Sequence, residues 1–349
     1  MSDPTRPLPA VAADLHATEL WLVKHGLPYF VPEQREAARA ALHSRRTAAM
    51  LVLTVLVALA SGIVLAWLAG DAAVAPATLM TLAGVAVAGF ALTTLRARPI
   101  ASWAVGRTLG GLRLLLPLVT RALPLLLLFV TFLFINAEGW ELSSTLDGAV
   151  LWVTVMLFGL FAVGFLWVRL PEELDRTERA ISEDALVEAC RGTPLEARAR
   201  TWAVENDTDL IEVNVSMRRY ERANLVLVLV IAQSVQVLLL ALSVFMFFML
   251  FGGLVMTGET QMSWTGVESV EQLGQVPVLS NFSWVLFQVS VFLGGFSGFY
   301  FAVSAVSDEA YRDQFFTTVQ RELDRAVAVR TLYLELRDRR PDPGATGPD

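Results

Sequence analysis

Two long apolar stretches near the carboxyl end decide the fold: LVLVLVIAQSVQVLLLALSVFMFFMLF at Leu225–Phe251 and FSWVLFQVSVFLGGFSGFYFAVSAV at Phe282–Val306. Both stretches are longer than the roughly 20 residues that a helix needs to cross the apolar core of a bilayer. We therefore predict that each one forms a transmembrane helix.

The remaining apolar residues also come in blocks, mostly of transmembrane length. The chain has 349 residues, of which 55% are hydrophobic and 17% charged, and this composition is typical of multi-pass membrane proteins. We predict an all-α polytopic integral membrane protein with six transmembrane helices, at Thr47–Ala69, Val74–Leu95, Ala122–Ala137, Thr145–Val168, Asn224–Phe251 and Phe282–Val306.

The charged residues indicate which loops share a side of the membrane. All 27 Lys and Arg residues fall in segments 1–46, 96–121, 169–222 and 307–349, whereas 7 of the 34 acidic residues fall in the other loops. Cytoplasmic loops collect Lys and Arg, so we predict that both termini are cytoplasmic. The frequent Ala and Arg look like those of multi-pass proteins of high-GC bacteria, which favours a bacterial plasma membrane. The basic segments hold as many acidic residues as basic ones, so nucleic-acid binding is not favoured.

The chain divides into five predicted parts. Residues 1–46 form amphipathic helices on the inner membrane surface, and 47–168 hold the first four spans with an interfacial helix at 100–120. Residues 169–222 are a cytoplasmic helical insert whose first helix opens at Pro171. Residues 223–306 hold the last two spans and the outer loop 257–281, and 307–349 form a cytoplasmic amphipathic helix and a disordered tail.

Small residues recur every four positions along the last predicted span. Ser290, Gly294, Gly298 and Ala302 form a ridge of the kind that lets two helices approach closely in lipid. We interpret this ridge as a helix-packing face, through which the chain binds itself or another membrane protein.

Polar residues mark one stripe of the fifth predicted span. Gln233 and Gln236 lie one turn apart and Ser243 continues the stripe, which is expected to face protein or water because an unpaired amide is costly in lipid. The stripe has two interpretations: a set of interhelical hydrogen bonds, which we favour, or a polar path for an ion or solute.

Six arginines of the basic segments are candidate anion contacts: Arg107, Arg113, Arg121, Arg218, Arg219 and Arg222. They are expected to bind the phosphates of membrane lipids as topology anchors. Attraction of anions at the mouth of a pore is the alternative.

The chain lacks the usual motifs of catalysis and cofactor binding. Gly295-Phe296-Ser297-Gly298 resembles the nucleophile motif of rhomboid intramembrane proteases, but all three histidines precede the first predicted span, whereas that family needs one within the membrane. No nucleotide-binding loop and no zinc-ligand spacing is present, so we predict no cofactor and no metal site.

The sequence therefore favours a non-enzymatic membrane scaffold that assembles with itself or binds a partner. The alternative is an ion channel or small-solute transporter with its path along the fifth span.

Overall fold

The computed structural model describes residues 8–42, 44–110, 128, 130–146, 148–180, 183–205, 219–273, 281–307 and 324–337. These residues are nearly all helical and include no strand, only an isolated antiparallel bridge between Gln272 and Ser283. The predicted all-α class is confirmed for this part of the chain.

Thirteen helices of the described ranges carry labels, and residues 130–134 form a further helical segment. The labelled helices are α1 (Leu8–Lys24), α2 (Pro32–Leu42), α3 (Arg45–Ala69), α4 (Val74–Thr93), α5 (Arg98–Gly110), α6 (Ala137–Thr145), α7 (Gly148–Ala180), α8 (Glu183–Ala189), α9 (Glu196–Glu205), α10 (Arg219–Val255), α11 (Gly258–Thr265), α12 (Trp284–Ser307) and α13 (324–337). A 3-10 turn, Pro28–Phe30, joins α1 to α2, and Gly26 before it adopts a left-handed φ of +76° that favours glycine.

Five helices are long and apolar enough to cross a membrane: α3, α4, α7, α10 and α12. They coincide with five of the six predicted spans, and so many apolar helices indicate a membrane-embedded protein. Residues 122–127 and 129 of the other predicted span, Ala122–Ala137, lie outside the described residues. Residues 130–134 are helical, and α6 begins after Asn136, whose side chain accepts a hydrogen bond from the Glu138 amide.

Two helices are longer than the sequence patterns predicted. α10 contains 37 residues and is about 55 Å long at 1.5 Å per residue, so it exceeds the hydrocarbon thickness of about 30 Å. The predicted helix start at Pro171 is wrong, because α7 continues through this proline to Ala180. A proline inside a helix lacks a backbone N–H, so the helix loses one backbone hydrogen bond at that position.

The membrane bundle is built on α7, α10 and α12, which pack against one another. The hairpin of α3 and α4 attaches to α7 through α4, where the indole Nε1 of Trp152 donates to the Thr81 hydroxyl at 2.8 Å. Most apolar side chains of α3 and α4 are exposed, as expected for helices that face lipid.

One end of the bundle, which we call the basic end, gathers segments that are far apart in the sequence. One buried apolar cluster at this end is shared by α1, the Pro28–Phe30 turn, α8, α9, α13 and the first turns of α10. Its members include Leu22, Phe30, Leu186, Leu195, Leu225, Leu229, Leu332 and Tyr333. Ile100 of α5 packs beside this cluster on Val228 of α10. Helices α1 and α13 therefore lie at the same end of the molecule.

The opposite end, which we call the acidic end, is closed by α6 and α11. Trp140 of α6 is fully buried; its indole Nε1 donates to the Phe134 carbonyl at 2.6 Å, and its ring packs edge-on against Trp264. Gln261 of α11 is also buried, and its amide donates to the carbonyls of Met256 and Asn281. The described acidic residues of the predicted outer loops are exposed: Asp71, Glu138, Glu141, Glu259, Glu268 and Glu271.

Candidate functional site

The small-residue ridge of α12 lies against α10 of the same chain. A Cβ added to Gly294 would stand 2.9 Å from the Ala241 carbonyl oxygen, and one added to Gly298 would stand 3.1 Å from the Ala241 Cβ. Ser290 and Ala302, one turn beyond each glycine, are fully buried. The ridge therefore packs within the chain, against α10.

The three polar residues of α10 do not share one environment. Gln233 is fully buried, Gln236 is partly buried and Ser243 is exposed, with its hydroxyl donating to the Leu239 carbonyl at 2.7 Å. A serine hydroxyl bonded to its own helix is satisfied and needs no water. The structure therefore brings Gln233, but not Ser243, into the interior of the protein.

Gln233 is the polar group that the surrounding structure leaves least satisfied. Its amide nitrogen and its amide oxygen are both buried and make no hydrogen bond among the described residues. A buried amide without partners costs free energy, so in native proteins such a group usually meets a water or a ligand.

Two of the six candidate arginines have described side chains. Arg219 is exposed, and Arg222 donates from Nη2 to the Pro171 carbonyl at 3.2 Å, which links the basic ends of α10 and α7. The side chain of Arg107 and the residues Arg113, Arg121 and Arg218 lie outside the described part of the chain.

The centre of the basic end is a buried ion triad that sequence reasoning missed. Glu221 of α10 is 1% exposed; its Oε1 pairs with Arg35 of α2 at 2.8 Å, and its Oε2 pairs with Arg330 of α13 at 2.7 Å. The Arg330 Nε also donates to Oε2 at 2.9 Å. One carboxylate therefore joins three segments of the chain, and the triad carries a net charge of +1.

A buried amide one turn further along α10 forms a second link. Asn224 is fully buried; its Oδ1 accepts from the Tyr29 amide at 2.9 Å, and its Nδ2 donates to the Gly26 carbonyl at 2.8 Å. The Tyr29 hydroxyl donates to the Leu95 carbonyl at 2.6 Å. The Gly26–Phe30 turn is thus fastened both to α10 and to the chain that follows α4.

Helix α13 makes further polar contacts with the segments around it. The Tyr333 hydroxyl donates to Glu19 Oε1 at 2.9 Å, and Arg325 donates to the Arg191 carbonyl at 2.6 Å. Burial raises the pKa of Tyr333, and the hydrogen bond to Glu19 raises that pKa further. Burial also raises the pKa of the Cys190 thiol to about 12. Both groups stay neutral at physiological pH and act as structural parts of the cluster.

The Ser297 hydroxyl of the protease-like motif donates to the Leu293 carbonyl at 2.6 Å, within its own helix. Among the described residues, no group of three or more His, Cys, Asp or Glu side chains is arranged to hold a metal ion.

No protein-family model matches the chain, and neither a curated protein nor a solved structure is significantly similar to it.

Proposed function

We propose that this protein is a non-enzymatic scaffold of a bacterial plasma membrane, with six spans and both termini in the cytoplasm. Its basic end is the cytoplasmic face and binds a partner, either a protein or a second copy of the chain. The observation that carries the proposal is the Glu221 triad, which joins the amino-terminal helices, a membrane helix and the carboxyl-terminal helix into one rigid surface.

The arrangement of the two ends supports the six-span topology. Arg35, Arg96 and Arg330 lie at the basic end with α1 and α13, and the described outer-loop acids lie at the other end. Ile100 packs at the basic end, whereas Phe134 packs with Phe248 near the acidic end. A sixth crossing between Ile100 and Phe134 accounts for this change of end.

The topology is tested by labelling introduced cysteines in intact cells with a membrane-impermeant maleimide. Lys24 and Glu138 are both exposed, at the basic and acidic ends respectively. We expect Glu138→Cys to react and Lys24→Cys to react only after the membrane is permeabilised. Reaction of Lys24→Cys in intact cells would overturn the proposed orientation.

The basic end supports a scaffold because side chains from distant segments pair with each other there. Glu221 is held by two arginines, and the Glu19 carboxylate accepts a hydrogen bond from Tyr333. Such a network gives a fixed shape, which a binding surface needs to recognise one partner.

Partner binding is tested by photocrosslinking in cells from a benzophenone amino acid at Leu20, which is 59% exposed at the basic end. Trp67, 81% exposed near the acidic end of α3, is the matched lipid-facing control. We expect a discrete protein adduct from position 20 and none from position 67. An adduct of twice the chain mass identifies a second copy as the partner. Absence of any protein adduct at position 20 would overturn the scaffold proposal.

A channel or small-solute transporter is the second candidate, and the unsatisfied amide of Gln233 favours it. In this case the purified protein in liposomes passes ions or solutes, and Gln233→Leu lowers the flux. Gln236→Leu tests the partly buried neighbour, and Ser243→Ala, which faces away from the interior, is the control. No flux under any imposed gradient removes this candidate.

A further inference from the structure

A crevice between α7, α10 and α12 has a volume of about 140 Å³. Small residues form much of its lining, so a bound molecule can approach the helix backbones closely. The lining includes Val155, Gly159, Leu166, Ser234, Leu238 and Gly295. Apolar cavities of about 150 Å³ are large enough to hold a benzene ring, so this crevice holds roughly six carbon atoms.

The depth of the crevice matches one leaflet of a bilayer. Along α7 it runs from Val155 to Leu166, which lie about 10 Å and 27 Å from Gly148 at 1.5 Å per residue. Along α10 it reaches Ser234, about 32 Å from Val255. The crevice is therefore about 16 Å long, and most of it lies in the half of the hydrocarbon layer, about 15 Å thick, next to the basic end.

The lining selects an apolar occupant with one polar group at its basic end. The Ser234 hydroxyl oxygen is buried and has no hydrogen-bond partner among the described residues. The other lining side chains are apolar, whereas a bound water needs two to four polar partners. Val163 and Leu238 are 38% and 65% exposed, so the crevice opens to the surface that faces lipid.

Basic side chains lie beyond the end of the crevice where Ser234 stands. Arg169 follows Leu166 by one turn of α7. Arg222 of α10 contacts the Pro171 carbonyl of α7. Positive charge at the edge of the hydrocarbon layer attracts anionic lipid headgroups. The charge of this region and the apolar crevice beside it thus complement the two halves of an anionic phospholipid.

We propose that the crevice binds a segment, about six carbon atoms long, of one acyl chain of an anionic phospholipid from the leaflet at the basic end. The chain lies against Gly159 and Gly295, the Ser234 hydroxyl donates to an ester carbonyl, and the headgroup lies toward Arg169 and Arg222. The site rests on the proposed crossing of the membrane, but it does not depend on the scaffold role or on any protein partner.

The experiment uses the full chain in vesicles that contain phosphatidylglycerol with a diazirine in one acyl chain. After illumination, we expect mapped adducts on residues 155–166 and 234–241. In Gly159→Leu and Gly295→Leu, the added side chain fills the crevice, and these adducts are lost. A Cβ at Gly159 meets no atom within 4 Å, and one at Gly295 comes no closer than 3.4 Å to its neighbours, so both variants are expected to fold.

Gly164→Leu is the matched control, because Gly164 lies on the same helix with open space around it and does not line the crevice. This variant keeps the adducts. A diazirine phosphatidylcholine probe is expected to label the crevice more weakly than the anionic probe. Unlabelled wild-type segments, or adducts that persist in both filled variants, overturn the acyl-chain site, and equal labelling by the two probes overturns its anionic selectivity. The photocrosslinks from position 20 have no part in this experiment, so its failure is distinct from failure of the scaffold proposal.

Discussion

Replacing Glu221 by alanine is expected to loosen the whole basic end. The substitution removes the carboxylate that pairs with both Arg330, 3% exposed, and Arg35, 14% exposed. Removing one partner of a buried ion pair costs about 3 to 5 kcal/mol. Because Arg35 is partly hydrated, we expect a loss near the lower bound, about 3 kcal/mol of the free energy that holds α2 and α13 on α10.

The single cysteine of the chain reports this loosening directly. Cys190 is fully buried in the cluster that contains α13, and its thiol cannot react until that cluster opens. A loss of about 3 kcal/mol raises the open population, and hence the rate of maleimide labelling, by about a hundredfold. The rate is measured on protein purified in mild detergent by mass spectrometry of the intact chain.

Two comparisons make this labelling experiment decisive. Glu188→Gln breaks the pair between Glu188 and Arg191, both of which are highly exposed, and is expected to change the rate less than about fivefold. Arg330→Gln is expected to accelerate labelling more than Arg35→Gln, because Arg330 is the more deeply buried. A rate for Glu221→Ala within threefold of wild type would refute the role assigned to the triad.

Three other outcomes are expected. Gly294→Ala places a methyl group 2.9 Å from the Ala241 carbonyl oxygen and is expected to cost about 1 to 3 kcal/mol in detergent unfolding, whereas Gly84→Ala, with open space around it, costs little; equal unfolding curves would contradict the packing of α10 on α12. Trp140→Phe removes a buried hydrogen bond of 2.6 Å and should lower the free energy of unfolding by about 1 to 3 kcal/mol, more than Trp152→Phe, whose bond is exposed. Burial raises the pKa of Cys190 from 9.0 to about 12, so the folded state holds this proton more tightly than the unfolded state. The stability that this proton confers is full below pH 9 and falls as the pH rises toward 12, which alkaline unfolding of wild type and Cys190→Ala checks: loss of stability over this range should be smaller in the variant.

The apolar helices were predictable because each one consists of a continuous run of apolar residues. α3 begins two residues before the predicted start at Thr47, and α12 begins two residues after the predicted start at Phe282. Gly294 and Gly298 were predicted to pack against a helix, but spacing alone does not say which one. Only the structure identifies α10 of the same chain as the neighbour.

The ion pairs of Glu221 at the basic end could not be predicted from local sequence patterns. Glu221 stands among Arg218, Arg219 and Arg222 in the sequence, at the end of the predicted cytoplasmic insert 169–222, and no pattern there singles it out. Its partners are 186 and 109 positions away, and no periodicity connects residues at such distances. Helix α13 also differs from its prediction, because an amphipathic helix was predicted there and its residues 326–333 are all buried.

The arrangement of the basic end also affects how the protein is made. Leu22 and Phe30 leave the ribosome early, yet the cluster that buries them is completed only by α13, and Glu19 meets Tyr333 across 314 positions. At about 5–20 residues per second, the first helices wait roughly 15 to 60 s for the last one. A chain that ends before residue 324 therefore lacks the residues of α13 that complete the cluster around Leu22 and Phe30.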